Sequence, residues 1–186
     1  MVENELLLKV CMLGSPKEIN TKLLRALAPG KFTTNYLPTL GVDITTLSIQ
    51  VEGVPVKLFL VDTAGQEFFG KLRPSYYRGA SIGLLTFDKS DRASFQATLD
   101  FFEDLKKYTD LRAPIPCERG KPSRSVDMPL ALIGIITNGS EISFEEGRSL
   151  ADQLGMSYYE WSITEPKKFE KLLYQLVGEF LSYTRP

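Results

Sequence analysis

A chain of 186 residues with 43% hydrophobic residues, 24% charged residues and a net charge of −1 has the composition of one ordinary globular domain spanning 1–186. That balance points away from nucleic acid and from anionic membrane surfaces as partners, so any function has to come from a site rather than from bulk charge. The absence of histidine excludes imidazole bases, His-containing triads and His-ligated metals, while Cys11 and Cys117 alone make neither a disulfide framework nor a zinc cluster.

The N-terminal MVENELLLKV carries two glutamates where a secretory leader would be basic, and no apolar run approaches the roughly 18 residues of a membrane span. A cytoplasmic, reducing compartment is expected. Residue 2 is Val and no cysteine follows Cys117, so no lipid anchor is expected in this chain. Apolar runs at Leu6 to Leu13, Val42 to Val51, Val54 to Asp62, Ser81 to Asp88, Leu130 to Ile136 and Ser157 to Trp161 predict strands. Helical spacing predicts helices near Pro16 to Ala28, Asp91 to Tyr108, Ser143 to Leu154 and Pro166 to Tyr183, the last with Phe169, Leu172, Leu173, Leu176, Phe180 and Leu181 on one stripe. Alternation of this kind implies a mostly parallel six-stranded sheet with helices on both faces. Only Glu52-Gly53 separates the second and third strands, so these form an antiparallel hairpin at the sheet edge. Thr109 to Met128, with three prolines and four basic residues, reads as a mobile insertion loop, either an inert surface segment or a partner-binding one.

In such sheets ligands bind beyond the carboxyl ends of the strands, where Gly14 and Asp62 fall. The run DTAGQE at Asp62 to Glu67 follows a strand and suits phosphoryl transfer to water. Asp62 would hold a magnesium-bound water, the Gly65 N–H would meet a terminal phosphate, and Gln66 would orient the attacking water. Together with FTTNYLPTLGVD, SYYRGA and SFEEGRSLADQLGM, this run closely resembles the Ras superfamily, its Rab branch in particular, over nearly the whole chain. The resemblance implies a three-layer, P-loop-NTPase-like G domain that binds GTP or GDP with Mg²⁺. By it, Thr21, Thr39 and Asp62 would serve the metal, and Gly14, Thr21, Thr39, Asp62, Gly65 and Ser162 the nucleotide. Effector or regulatory proteins would dock through the switch regions, on Leu40, Val42, Phe68, Phe69, Leu72, Tyr76 and Tyr77, unless those aromatics belong to the core.

Departures from the family pattern concentrate in the pocket. Where G-x-x-x-x-G-K-[ST] is expected the chain reads GSPKEINT, with Ile19 for glycine and Asn20 for lysine. N-K-x-D becomes Ile135-Ile136-Thr137-Asn138, and Asn138 has one acceptor where guanine offers two donors. S-A-K survives only at Ser162, followed by Ile163 and Thr164. Losing two sets of charge-assisted hydrogen bonds removes on the order of 6 kcal/mol, about four decades of affinity. Ser15-Pro16-Lys17-Glu18 also reads as a self-capped helix start that would use up the N–H groups a phosphate needs; the alternative is an ordinary loop with Ile19 packed beneath it. The leading expectation is a Rab-like interaction module with weak, altered or absent guanine-nucleotide binding. The alternative is an active GTP hydrolase with Gln66 in the catalytic role, where Lys17, Lys22 or a partner's arginine stands in for the missing lysine.

Overall fold

This computed structural model describes residues 5–15, 20–21, 23–24, 33–37, 42–62, 76–115, 124–137, 139–162 and 164–184. Seven strands form one sheet: β1 (Leu6–Ser15), β2 (Thr33–Leu37), β3 (Val42–Val51), β4 (Val54–Asp62), β5 (Ile82–Asp88), β8 (Leu130–Ile136) and β9 (Ser157–Ser162), in the order β2-β3-β4-β1-β5-β8-β9. All six expected strands are present. β1 runs parallel to β4 and β5, β5 to β8, and β8 to β9, as helical crossovers require. β3 turns back antiparallel on β4, its hairpin closed by Glu52 and Gly53 with φ of 52° and 80°, both in the left-handed region that tight hairpin turns use. Thr33–Leu37 adds a strand beyond β3 that the sequence reading lacked. With only five residues, polar at three of them, it carries no hydrophobic period, and it is a strand because β3 offers a free edge.

The ends of two helices follow from local chemistry. Helix α1 (Arg92–Thr109) starts where the Asp91 side chain accepts from the Ala93 N–H and stops at Asp110, which takes a left-handed conformation. Its buried positions Ser94, Thr98, Phe102 and Leu105 follow the helical period. Helix α2 (Phe144–Leu154) carries a complete capping box between Ser143 and Glu146 and ends on Gly155 at φ 68°. Helix α3 (Pro166–Thr184) buries the expected stripe from Phe169 to Leu181, with Val177 added to it. Residues 20, 21, 23 and 24 are helical, and Leu23 and Leu24 reach the core.

Helices lie on both faces. Tyr158 of β9 meets Phe144 of α2, whereas Trp161, three residues on and on the opposite face, meets Phe169 of α3. Phe87 packs between Phe95 of α1 and Tyr158, which puts α1 on the α2 side. The segment expected as a loop over 109–128 is in part regular: Arg112–Ile115 (β6) pairs antiparallel with Arg124–Asp127 (β7). Ala113 and Met128 are buried there, and Arg112 forms an ion pair with Asp127 and donates to the Ser125 carbonyl at 2.7 Å.

Candidate functional site at the carboxyl ends of the strands

Because β1, β4, β5, β8 and β9 run parallel, their carboxyl ends bring Gly14, Asp62, Asp88, Ile136 and Ser162 to one rim of the sheet. Asp62 is 2% exposed. A carboxylate so buried needs donors, and two side chains supply them: the Thr21 hydroxyl at 3.4 Å to one oxygen and the Asn20 amide at 3.4 Å to the other. Asn20 itself is fully buried, and its carbonyl oxygen accepts from the Thr86 hydroxyl at 2.6 Å. Thr86 also lies 3.2 Å from the Leu13 carbonyl. The residue in the lysine register of the phosphate loop is thus an uncharged amide bonded inside the protein at both ends.

Gly14 faces Thr86 across the β1–β5 ladder. A Cβ at Gly14 would stand 1.9 Å from the Thr86 hydroxyl oxygen and 2.3 Å from its carbonyl oxygen, so only glycine permits this approach. Along the rim, Asp88 accepts from the Ser90 N–H at 2.8 Å, the Ser90 hydroxyl at 2.7 Å and the Thr137 hydroxyl at 2.9 Å. Ile135, at the first position of the base-recognition motif, is 1% exposed and apolar. Ser162 pairs with Thr164 at 2.9 Å. Behind this rim the nearly buried Lys89 forms an ion pair with Glu160, which also accepts from the Tyr158 hydroxyl at 3.0 Å. Burial first, then the Glu160 charge, pushes the Tyr158 phenol well above its ordinary range.

Of the expected site residues, Gly14, Thr21, Asp62 and Ser162 stand at this rim, with Thr21 and Asp62 in contact. Thr39, Leu40, Gly65, Gln66, Phe68, Phe69 and Leu72 lie outside the described residues, as do Ile19, Asn138, Ile163 and the capped-helix start at 16–18. Val42 lies in β3 opposite Leu37. Tyr76 departs from the docking expectation: it is buried, in a small cluster with Val61 and half-buried Ile44 separate from the main core. Tyr77 differs from the docking expectation. At 2% exposure it is a core residue stacked on Tyr108, 5.8 Å between ring centroids, because the short helical turn at 76–77 aims it inward. Thr86 escaped the sequence reading; the one signal for it is a hydroxyl within the apolar run Ile-Gly-Leu-Leu-Thr-Phe of a fully buried strand. Lys89 and Glu160, distant in sequence, left no such signal.

A mostly parallel sheet flanked by helices, with a buried acid at the end of β4 and a glycine near the end of β1, defines an α/β G domain. The chain belongs to the Ras family: that family's model matches residues 9–182. It is 29% identical over 177 residues to the Ras-related protein RABA2b of Arabidopsis thaliana, covering 95% of this chain and 77% of that protein. To the GTP-binding protein ypt2 of Schizosaccharomyces pombe it is 28% identical over 176 residues, covering 93% and 80%. RABA5e of Arabidopsis thaliana shares 31% over 158 residues, 85% of this chain and 67% of that protein. It is a Rab-like member of the small GTPases. Tested against the guanine nucleotide and Mg²⁺ that this family implies, the residues fit in part. The Thr21 hydroxyl and Asp62 carboxylate are a donor set suited to a hard cation, whereas Asn20 and Ile135 supply neither the ammonium a phosphate calls for nor the polar edge a base calls for.

Proposed function

We propose that this Rab-like protein works as a protein-interaction module in which guanine-nucleotide binding is weak, altered or absent. One observation carries the reading: Asn20 is fully buried, its carbonyl engaged by Thr86 and its amide by Asp62. An amide so engaged turns an N–H toward Asp62 and brings no charge to balance a triphosphate. Effector or regulatory proteins would dock through the switch regions, on Leu40, Val42, Phe68, Phe69 and Leu72. The paired strands β6 and β7 within 109–128 would add a second surface of contact.

Denaturing the purified protein and running the supernatant on an anion-exchange column tests this directly. Less than a tenth of an equivalent of GDP or GTP is expected; a stoichiometric amount would overturn the reading. Melting curves with and without excess GTP and Mg²⁺ should coincide, since a ligand at 100 times its Kd adds about 2.7 kcal/mol.

A second reading, an active GTP-hydrolysing switch with a non-standard phosphate loop, is favoured by the contact between Thr21 and Asp62. Under it Gln66 would orient the attacking water, and Thr21, Thr39 and Asp62 would hold the metal. Phosphate release from GTP, abolished in Gln66→Leu, separates this reading from the first.

A further inference from the structure

Strand β5 is buried from Ile82 to Phe87, and Thr86 is the one hydroxyl in that stretch. A hydroxyl placed there is costly unless it finds a partner. Its single proton has two acceptors within reach, the Asn20 carbonyl oxygen at 2.6 Å and the Leu13 carbonyl at 3.2 Å, and the shorter contact takes it. Once the Asn20 oxygen is held by a donor, its NH₂ must face Asp62, where it donates at 3.4 Å. Turned the other way, the amide would set its oxygen against a carboxylate, two acceptors with no proton between them, and Thr86 would lose its 2.6 Å acceptor for the longer contact to Leu13. The carboxylate, which can only accept, therefore sets the orientation of the amide, and the short hydrogen bond from Thr86 to the Asn20 oxygen holds it there.

We propose that Thr86 is a positioning residue that locks Asn20 onto Asp62, so that the acid at the end of β4 is satisfied inside the protein instead of by a ligand-bound cation. The lock joins β5, the helical residues around position 20 and β4 at the rim where phosphate would sit. It depends on Gly14, because any side chain there would displace the Thr86 hydroxyl. This inference rests on the reading of weakened nucleotide binding and explains how the weakness is maintained. Asn20 removes the charge, and Thr86 keeps the vacated register closed.

The test uses Thr86→Val, which keeps the shape and removes the donor, and Thr86→Ser, which keeps the donor. The side-chain NH₂ of Asn20 is read by ¹⁵N–¹H spectroscopy, its resonance pair identified by its loss in Asn20→Asp. In the wild-type protein and Thr86→Ser a resolved, slowly exchanging pair is expected. In Thr86→Val its exchange should accelerate at least about tenfold while the backbone amides of Leu13 and Leu85 keep their protection, an effect that simple loss of packing would not confine to one side chain. Titration with a fluorescent GDP analogue and Mg²⁺ is the second readout. Thr86→Val should bind on the order of tenfold more tightly than wild type, the worth of one released charge-assisted hydrogen bond. An unchanged Asn20 signal in Thr86→Val overturns the lock. A lost signal with unchanged or weaker binding overturns its role in closing the site. Stoichiometric nucleotide in the wild-type protein would instead defeat the functional reading while leaving the Asn20 signature to stand or fall alone.

Discussion

Single side chains in this domain show how a buried polar group dictates its neighbours. Cys11 sits wholly buried in β1 with its thiol donating to the Tyr76 carbonyl at 3.3 Å. Burial pushes the thiol up to about 11 from 9.0, with Lys9 pulling weakly the other way. At neutral pH its thiolate fraction is on the order of a hundredfold below that of a free cysteine, so in a Cys117→Ser variant native Cys11 should react with iodoacetamide at least that much more slowly than in guanidinium. Because the folded thiol keeps its proton when the unfolded one has lost it, the contribution of Cys11 to stability should fall as pH rises from about 9 to about 11. Rapid native labelling at pH 7 would mean that the strand opens. Asn20 and Thr86 obey the same rule in a different way, each supplying the other with a partner in the core.

At the scale of elements, the ends of helices carry as much information as their faces. In α2 the Ser143 hydroxyl accepts from the Glu146 N–H at 3.1 Å, the Glu146 carboxylate accepts from the Ser143 N–H at 2.9 Å, and Arg92 of α1 donates to Glu146 at 2.6 Å. The Arg92 hydrogen bond, then those of Ser143, hold the Glu146 carboxyl down to about 2 from 4.5. The support this gives is complete above about pH 4.5 and is lost as pH falls toward 2. Ser143→Ala should cost about 1 kcal/mol, seen as a melting temperature lower by about 2–4 °C at pH 7. The difference from wild type should narrow in melts at pH 3. The sequence reading placed this helix over Ser143 to Leu154 without marking its capping box, although Ser143 and Glu146 lie only three residues apart. Thr33–Leu37 was not legible, since it is a strand only through the register Thr33↔Thr46 to Leu37↔Val42.

Across the whole molecule, the network behind the rim ties the sheet's last strands together. Lys89 follows β5 and Glu160 lies in β9, two strands away across β8, and their ion pair closes over Gly134, whose missing side chain leaves room for Tyr158 and Phe87. Glu160→Gln would leave a nearly buried ammonium without its counter-charge and should cost about 3 kcal/mol by chemical denaturation at pH 7. Replacing both partners, Lys89→Met with Glu160→Gln, should recover most of that loss, because the penalty lies in the unpaired charge rather than in the absent bridge. A double variant no more stable than the single one would show that the pair holds the fold by its attraction.

By itself the sequence determined the order of six of the sheet's seven strands, the hairpin at Glu52-Gly53, the apolar stripe of α3 and the departure of Asn20, Ile135 and Ile136 from the family pattern. Those properties are local: period, turn chemistry and motif register act over a few residues. Tertiary structure alone decided that Asn20 is held by Thr86, that Tyr77 is core and that Lys89 meets Glu160. Partners 66 and 71 residues apart are matched by the sheet's parallel register, and no spacing along the chain encodes that meeting.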